Sequence, residues 1–194
     1  IPPPKKTAAM PAHDFARPKT SYRNLYAFRQ SEAIYDLTYF FLQRHIPQSD
    51  RTYDQMLQAA RSGKQNIAEG RSDAAASAEM EIRLDGVARG SLHELLNDYE
   101  DFMRTRNIPR WGIDHPRAEK LRETCRNNND TAFYMQFAPR LSDEELCNLM
   151  LTLLNQTIVM LNKLIDLVKV DFLQNGGIKE QMLRARLEAR SNKH

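Results

Sequence analysis

The residues from Gln55 to Gly70, read together with Val87 to Leu95, constrain this chain more than any other stretch. Apolar positions recur there at helical spacing, and small residues stand where bulk is usual: Ala59, Ala60, Ser62, Gly63, Ala68 and Gly70, then Ala88, Gly90 and Ser91. A glycine inside a helix costs up to ~1 kcal/mol in propensity, which a fold tolerates where two backbones must approach closely. The two stretches therefore read as a tightly packed helix pair. On this reading Gly90→Leu disrupts folding or assembly.

The remaining pattern is helical as well. A first helix spans about Asn24 to His45, with Leu25, Phe28, Ile34, Leu37 and Phe41 near one face, and Ile46-Pro47 ends it. Ser49 or Asp50 can cap the second helix, whose seam is Tyr53, Met56, Ala60, Gly63, Ile67 and Gly70. Ser77 can cap a third helix, from about Ala78 to Arg106. Its seam is Leu84, Ala88, Ser91, Leu95, Tyr99 and Phe102, flanked by Met80, Leu92, Leu96 and Met103. Ser142 with Glu145 forms a capping box that opens a fourth long helix, to about Leu173. The apolar face of that helix is wider than one core requires, so either another part of the chain or another subunit covers the excess. Asn175-Gly176-Gly177 closes it, and Ile178–Arg190 reads as a short basic amphipathic helix.

These elements predict an all-α, up-down four-helix bundle over residues 21–174. Residues 109–141 are an inserted segment with Pro109, Pro116, Pro139, the single tryptophan Trp111 and a short helix around Arg117–Arg126. A connection this long is expected to pack on the bundle, here through Trp111, Phe133, Tyr134 and Phe137. Residues 175–194 form a C-terminal suffix. Residues 1–20, with Pro2, Pro3, Pro4, Pro11 and Pro18 among Lys5, Lys6, Arg17 and Lys19, read as a flexible basic arm.

Composition fits a globular chain: 194 residues, 41% hydrophobic and 27% charged, with only seven glycines. No run of eighteen apolar residues suggests a membrane span, and the basic N-terminal residues lack the apolar core of an export signal. Cys125 and Cys147 read as free thiols in a reducing cytoplasm, in preference to a disulfide or a metal pair. The net charge is +3, with both ends basic and the middle mildly acidic. That balance permits contact with nucleic acid without requiring it.

Catalytic patterns are missing from the sequence. A di-metal carboxylate site in a helical bundle needs Glu-x-x-His, which does not occur, and His93 with Glu94, Asp98 and Asp101 reads as a solvated face. Gly63-Lys64 is followed by Gln65, where a phosphate-binding loop needs Ser or Thr. The sequence predicts no enzyme, no metal and no cofactor. Basic residues remain: Arg61, Lys64 and Arg71 on the second helix, Arg89 and Arg104 on the third, Arg184 and Arg186 in the suffix. Each could meet a phosphate. Equally, Glu69, Asp73, Glu81 and Asp85 stand close enough in sequence to neutralise the first group.

Asn66-Ile67-Ala68-Glu69-Gly70, followed by Ala88-Arg89-Gly90-Ser91-Leu92 and Glu94, resembles the four-helix bundle proteins encoded in bacterial 23S rRNA intervening sequences. Their relatives include the accessory variability determinant of diversity-generating retroelements. Asn24-Leu25 and the Arg61 region fit too, and the resemblance covers about residues 22–107 plus the fourth helix. The insert and the tail Asp171–Glu180 look like the subgroup with a suffix after the bundle. The resemblance implies a ring-shaped homopentamer with a basic surface, which in the retroelement members binds a reverse transcriptase and its template RNA. The mildly acidic middle, the insert and the suffix depart from that pattern.

Two functions are expected from this reading. The first is a non-enzymatic, oligomeric nucleic-acid-binding scaffold, with a reverse transcriptase as one partner. The alternative is a protein-interaction or structural homo-oligomer. The two differ in whether Arg61, Lys64, Arg71 and Arg89 form one unpaired patch.

Overall fold

A computed structural model describes residues 21–73 and 77–191, all helix, turn and loop with no strand among the described residues. The basic arm and the middle of the link after the second helix lie outside the described residues. A 3-10 turn at Tyr22–Asn24 leads into α1 (Tyr26–His45), followed by α2 (Arg51–Asp73) and α3 (Ala78–Thr105). The insert supplies α4 (Ala118–Asn127) and α5 (Thr131–Met135), then come α6 (Asp143–Asn175) and α7 (Ile178–Ser191).

Local chemistry sets these bounds. Ile46 is extended ahead of Pro47 and stops α1. Asp50 Oδ1 accepts the Thr52 amide at 2.9 Å, and Ser77 Oγ accepts the Met80 amide at 3.3 Å, each satisfying an orphan donor at a helix start. Asn107, with φ 54, turns the chain out of α3 before Ile108-Pro109. The capping box of α6 is complete, Ser142 and Glu145 each accepting the other's amide. Asp130 caps α5, a helix the sequence pattern does not announce.

α2 packs along α3, α3 along α6, α6 along α1 and α1 along α2, and residues of all four share one core with Cys125, Tyr134 and Ala138 of the insert. The predicted α2 seam is buried throughout, from Tyr53 through Gly63 to Gly70. On α3, Ala88, Leu95 and Tyr99 are sealed, whereas Met80 is exposed. Phe41 anchors the centre, its ring 4.7 Å from Tyr99 and 4.7 Å from Phe102, while Tyr99 donates to Thr38 at 3.2 Å. Burying each such side chain stabilises the fold by ~1.5–3 kcal/mol.

The close approach of α2 and α3 runs through Gly63 rather than Gly90. A Cβ on Gly63 would stand 2.6 Å from Leu92 Cδ2, whereas one on Gly90 would meet nothing within 4 Å. Gly90 lies on the outer face of α3, and the expectation that Gly90→Leu breaks the fold is corrected accordingly. Spacing placed it with the small residues, but its direction is outward.

The insert packs as expected, with Tyr134 buried and Phe133 half-buried, although Phe137 is 43% exposed. Buried hydrogen bonds fix it in place. Gln30 on α1 donates to the Cys125 carbonyl at 3.1 Å, and Thr157 on α6 donates to Gln30 Oε1 at 2.9 Å. By length and composition alone the segment containing α6 could cross a membrane. Its face from Leu146 to Val168 is nevertheless a wall of the core. The insert covers part of its excess apolar surface, and Val159, Leu167, Val170 and Leu173 remain exposed.

Candidate interaction surfaces

Helix geometry brings Arg71, in the last turn of α2, to Glu81, in the first turn of α3. Arg71 Nη1 lies 2.6 Å from Glu81 Oε1, and the Glu81 side chain is fully buried. Asp85, one turn further along α3, is also fully buried, and neither of its carboxylate oxygens has a hydrogen-bond partner among the described residues. Burial raises the Asp85 carboxyl to about 7, helped by the Glu81 charge and opposed by the Arg71 guanidinium. Gly70 makes room here, since a Cβ on it would stand 3.4 Å from Asp85 Oδ1. Arg71 is thus a buried-pair residue, drawn off the surface that a phosphate could reach.

The other candidate cations are dispersed. Lys64 reaches across to α1, its ammonium 4.3 Å from the centroid of the Tyr35 ring. Beside it, Asp36 is raised above the usual carboxylate range by burial, an effect the Lys64 charge opposes. Arg89 donates to Asn162 on α6 at 2.9 Å, and Arg104 pairs with Asp101 one turn away at 2.7 Å. Arg61 is exposed with no partner among the described residues. The same holds for Arg184, Arg186 and Arg190 on α7, a helix with no extensive packing against another described element. The structure therefore does not assemble Arg61, Lys64, Arg71 and Arg89 into one open patch.

A groove of about 690 Å³ runs between α2 and α3. Its floor is Ala59, Ser62 and Ser91, the two serine hydroxyls 2.9 Å apart, and its walls include Asp54, Glu94 and Asp98 together with Arg51. Burial raises the Asp98 carboxyl, and the neighbouring Asp101 and Glu94 charges raise it further. His93 is exposed on α3, and no cluster of three metal-ligating side chains occurs among the described residues.

A second, smaller cavity of about 240 Å³ lies where the insert meets α6, between Trp111, Arg122 and Asn155. Its polar lining is already engaged. Asn148 accepts from the Trp111 amide at 2.8 Å and donates to the Pro109 carbonyl at 2.9 Å, while the Trp111 indole donates to Glu144 at 2.6 Å. His115 stacks on the indole at 4.6 Å, and the Arg117 guanidinium sits 4.5 Å from it. Cys125 and Cys147 are free, fully buried thiols, and burial pushes both up to about 12. Neither is a nucleophile at neutral pH.

Sequence reasoning overlooked the buried acids. Glu81, Asp85, Ala88 and Leu92 recur at helical spacing on the inward face of α3. That periodicity was available to mark both carboxylates as interior. No family model, no curated protein and no solved structure matches this chain.

Proposed function

We propose that this chain is a non-enzymatic four-helix bundle protein, built on α1, α2, α3 and α6, that works by assembling with copies of itself. The observation that carries this reading is the distribution of unused surface. Lys64, Arg71 and Arg89 are engaged within the chain. Val159, Leu167, Val170 and Leu173 on α6, and Met182, Leu183 and Leu187 on α7, are left uncovered by it. Exposed apolar side chains in such numbers are a common mark of a protein–protein surface. The sealed, unreactive thiols weigh against nucleophilic chemistry at either cysteine. A ring of five copies, as the family resemblance implies, is one way to cover the exposed face.

A second reading, the nucleic-acid-binding scaffold, is favoured by Arg61, Arg184, Arg186 and Arg190, which have no acidic partner among the described residues. In this reading phosphate contact is concentrated on α7 rather than on α2 and α3, and a reverse transcriptase remains a candidate partner.

Light-scattering mass on the purified chain, before and after nuclease treatment and a high-salt wash, tests both readings. A stable oligomer free of nucleic acid supports self-assembly as the principal role. Nucleic acid that co-purifies and leaves as salt rises supports the scaffold. A monomer at all concentrations overturns self-assembly.

A further inference from the structure

The α6–α7 joint is held by its own hydrogen bonds. The Gly176 amide, at φ 72, donates to the Phe172 carbonyl at 2.8 Å, and the Gly177 amide donates to Glu180 Oε2 at 3.0 Å. Gln181 Nε2 closes back on the Gly176 carbonyl at 3.0 Å. A joint capped in this way fixes the direction in which α7 leaves α6. Along its length α7 exposes Met182, Leu183 and Leu187, interleaved with Arg184, Arg186 and Arg190. A helix with apolar and basic side chains, held off its own helical body, is left to be covered by another molecule.

The groove between α2 and α3 offers the complementary surface. Val87, 45% exposed, precedes Ser91, Glu94 and Asp98 at helical spacing on α3, and Asp54 faces them from α2. The small floor of Ala59, Ser62 and Ser91 admits a helix backbone closely. The registers agree. Val87 and Glu94 are seven residues apart, as are Leu183 and Arg190, so on each helix an apolar and a charged position of opposite sign are separated by about 10 Å.

We propose that α7 of one copy lies in the α2–α3 groove of a second copy, with Leu183 against Val87 and its arginines against Glu94 and Asp98. This deepens the self-assembly reading and rests on it. Burial, and then the Asp101 and Glu94 charges, raise the Asp98 carboxyl, and the groove's three lining acids, Asp54, Glu94 and Asp98, outnumber its one lining cation, Arg51. A guanidinium brought among these acids relieves that excess.

The test uses the full chain and a charge exchange across the contact. Arg186→Glu/Arg190→Glu in one chain, or Glu94→Arg/Asp98→Arg in another, is expected to weaken association at least tenfold by sedimentation or light scattering. All four substitutions are on exposed or half-buried positions, and unchanged circular dichroism and melting confirm that each variant is folded. Mixing the two reversed chains is expected to restore association between them. An oligomer whose mass ignores both reversals overturns this contact while leaving self-assembly standing. A monomeric wild-type chain overturns both, and so does a monomer in which α7 is protected from proteolysis by its own groove.

Discussion

Arg71 and Glu81 meet at 2.6 Å across the end of the α2–α3 pair, and the acid is sealed from solvent while the base keeps only a fifth of its surface exposed. A surface cation could be removed with little effect on the fold. A cation that neutralises a buried carboxylate cannot, because its loss strands the charge.

Arg71→Ala is accordingly expected to lower stability by about 3 kcal/mol, the lower end of the range for breaking a buried pair from one side. Arg104→Ala, which removes an exposed one-turn pair with Asp101, is expected to change it by less than about 1 kcal/mol. Urea midpoints of the two variants decide the matter. Equal effects would show that the α2–α3 pair is solvated in solution.

Asp85 gives the fold a pH dependence with a definite sign. In the folded chain its carboxyl holds a proton up to about 7, against 3.8 for an unperturbed one. Between those values the folded state binds more protons than the unfolded state. Stability from this group is therefore present at low pH and is lost as pH rises toward 7, at up to about 1.4 kcal/mol per pH unit, and then levels off. The difference between wild type and Asp85→Asn in urea midpoint, from pH 5 to pH 8, isolates this effect from other titrating groups. Wild type is expected to lose ground to the variant across that range, and a gap that stays constant would rule the assignment out.

Glycines on neighbouring helices should respond in opposite directions. Gly63→Ala drives a Cβ into Leu92, which is sealed in the core, and is expected to cost about 1–3 kcal/mol. Gly90→Ala meets nothing and replaces a poor helix former with the best one, a gain of up to about 1 kcal/mol. Thermal melts of the two variants are expected to move apart. Gly90→Ala leaves the proposed groove contact in place, so any loss of assembly there would point to a closer helix approach than that contact needs.

Cys125 and Cys147 are expected to resist thiol reagents at pH 8 in the folded chain and to react fully once it is denatured, as their raised pKa values and burial require. Rapid labelling of either thiol without denaturant would mean that the insert opens around Cys125 or that α6 separates from α3 near Cys147.

The helices were legible in the sequence because their boundaries are local. Asp50, Ser77 and Ser142 with Glu145 carry the caps, and Ile46-Pro47 and Gly176 carry the stops. The seam of α2 was legible because burial there follows helical period without interruption. What escaped was directional or depended on tertiary contacts. Gly90 belongs to the small-residue set by composition, yet it points away from α2. Glu81 and Asp85 look like surface acids by residue type, although their helical spacing with Ala88 and Leu92 puts them on the inward face. Arg71 looked available for phosphate because its neighbours in sequence did not show which acid would claim it. Asp130 capping α5 was hidden inside an asparagine-rich turn that reads equally well as a helix end.

Trp111 is the only indole in the chain, and it sits at the junction of insert and α6, stacked on His115 and hydrogen-bonded to Glu144. The molecule thus carries its own optical reporter at one of the places where the excursion between α3 and α6 is fastened down. Intrinsic fluorescence follows the fastening of the insert, whereas circular dichroism at 222 nm follows the helices as a whole. Two probes on one unmodified chain can therefore reveal whether the insert lets go before the rest of the molecule or together with it.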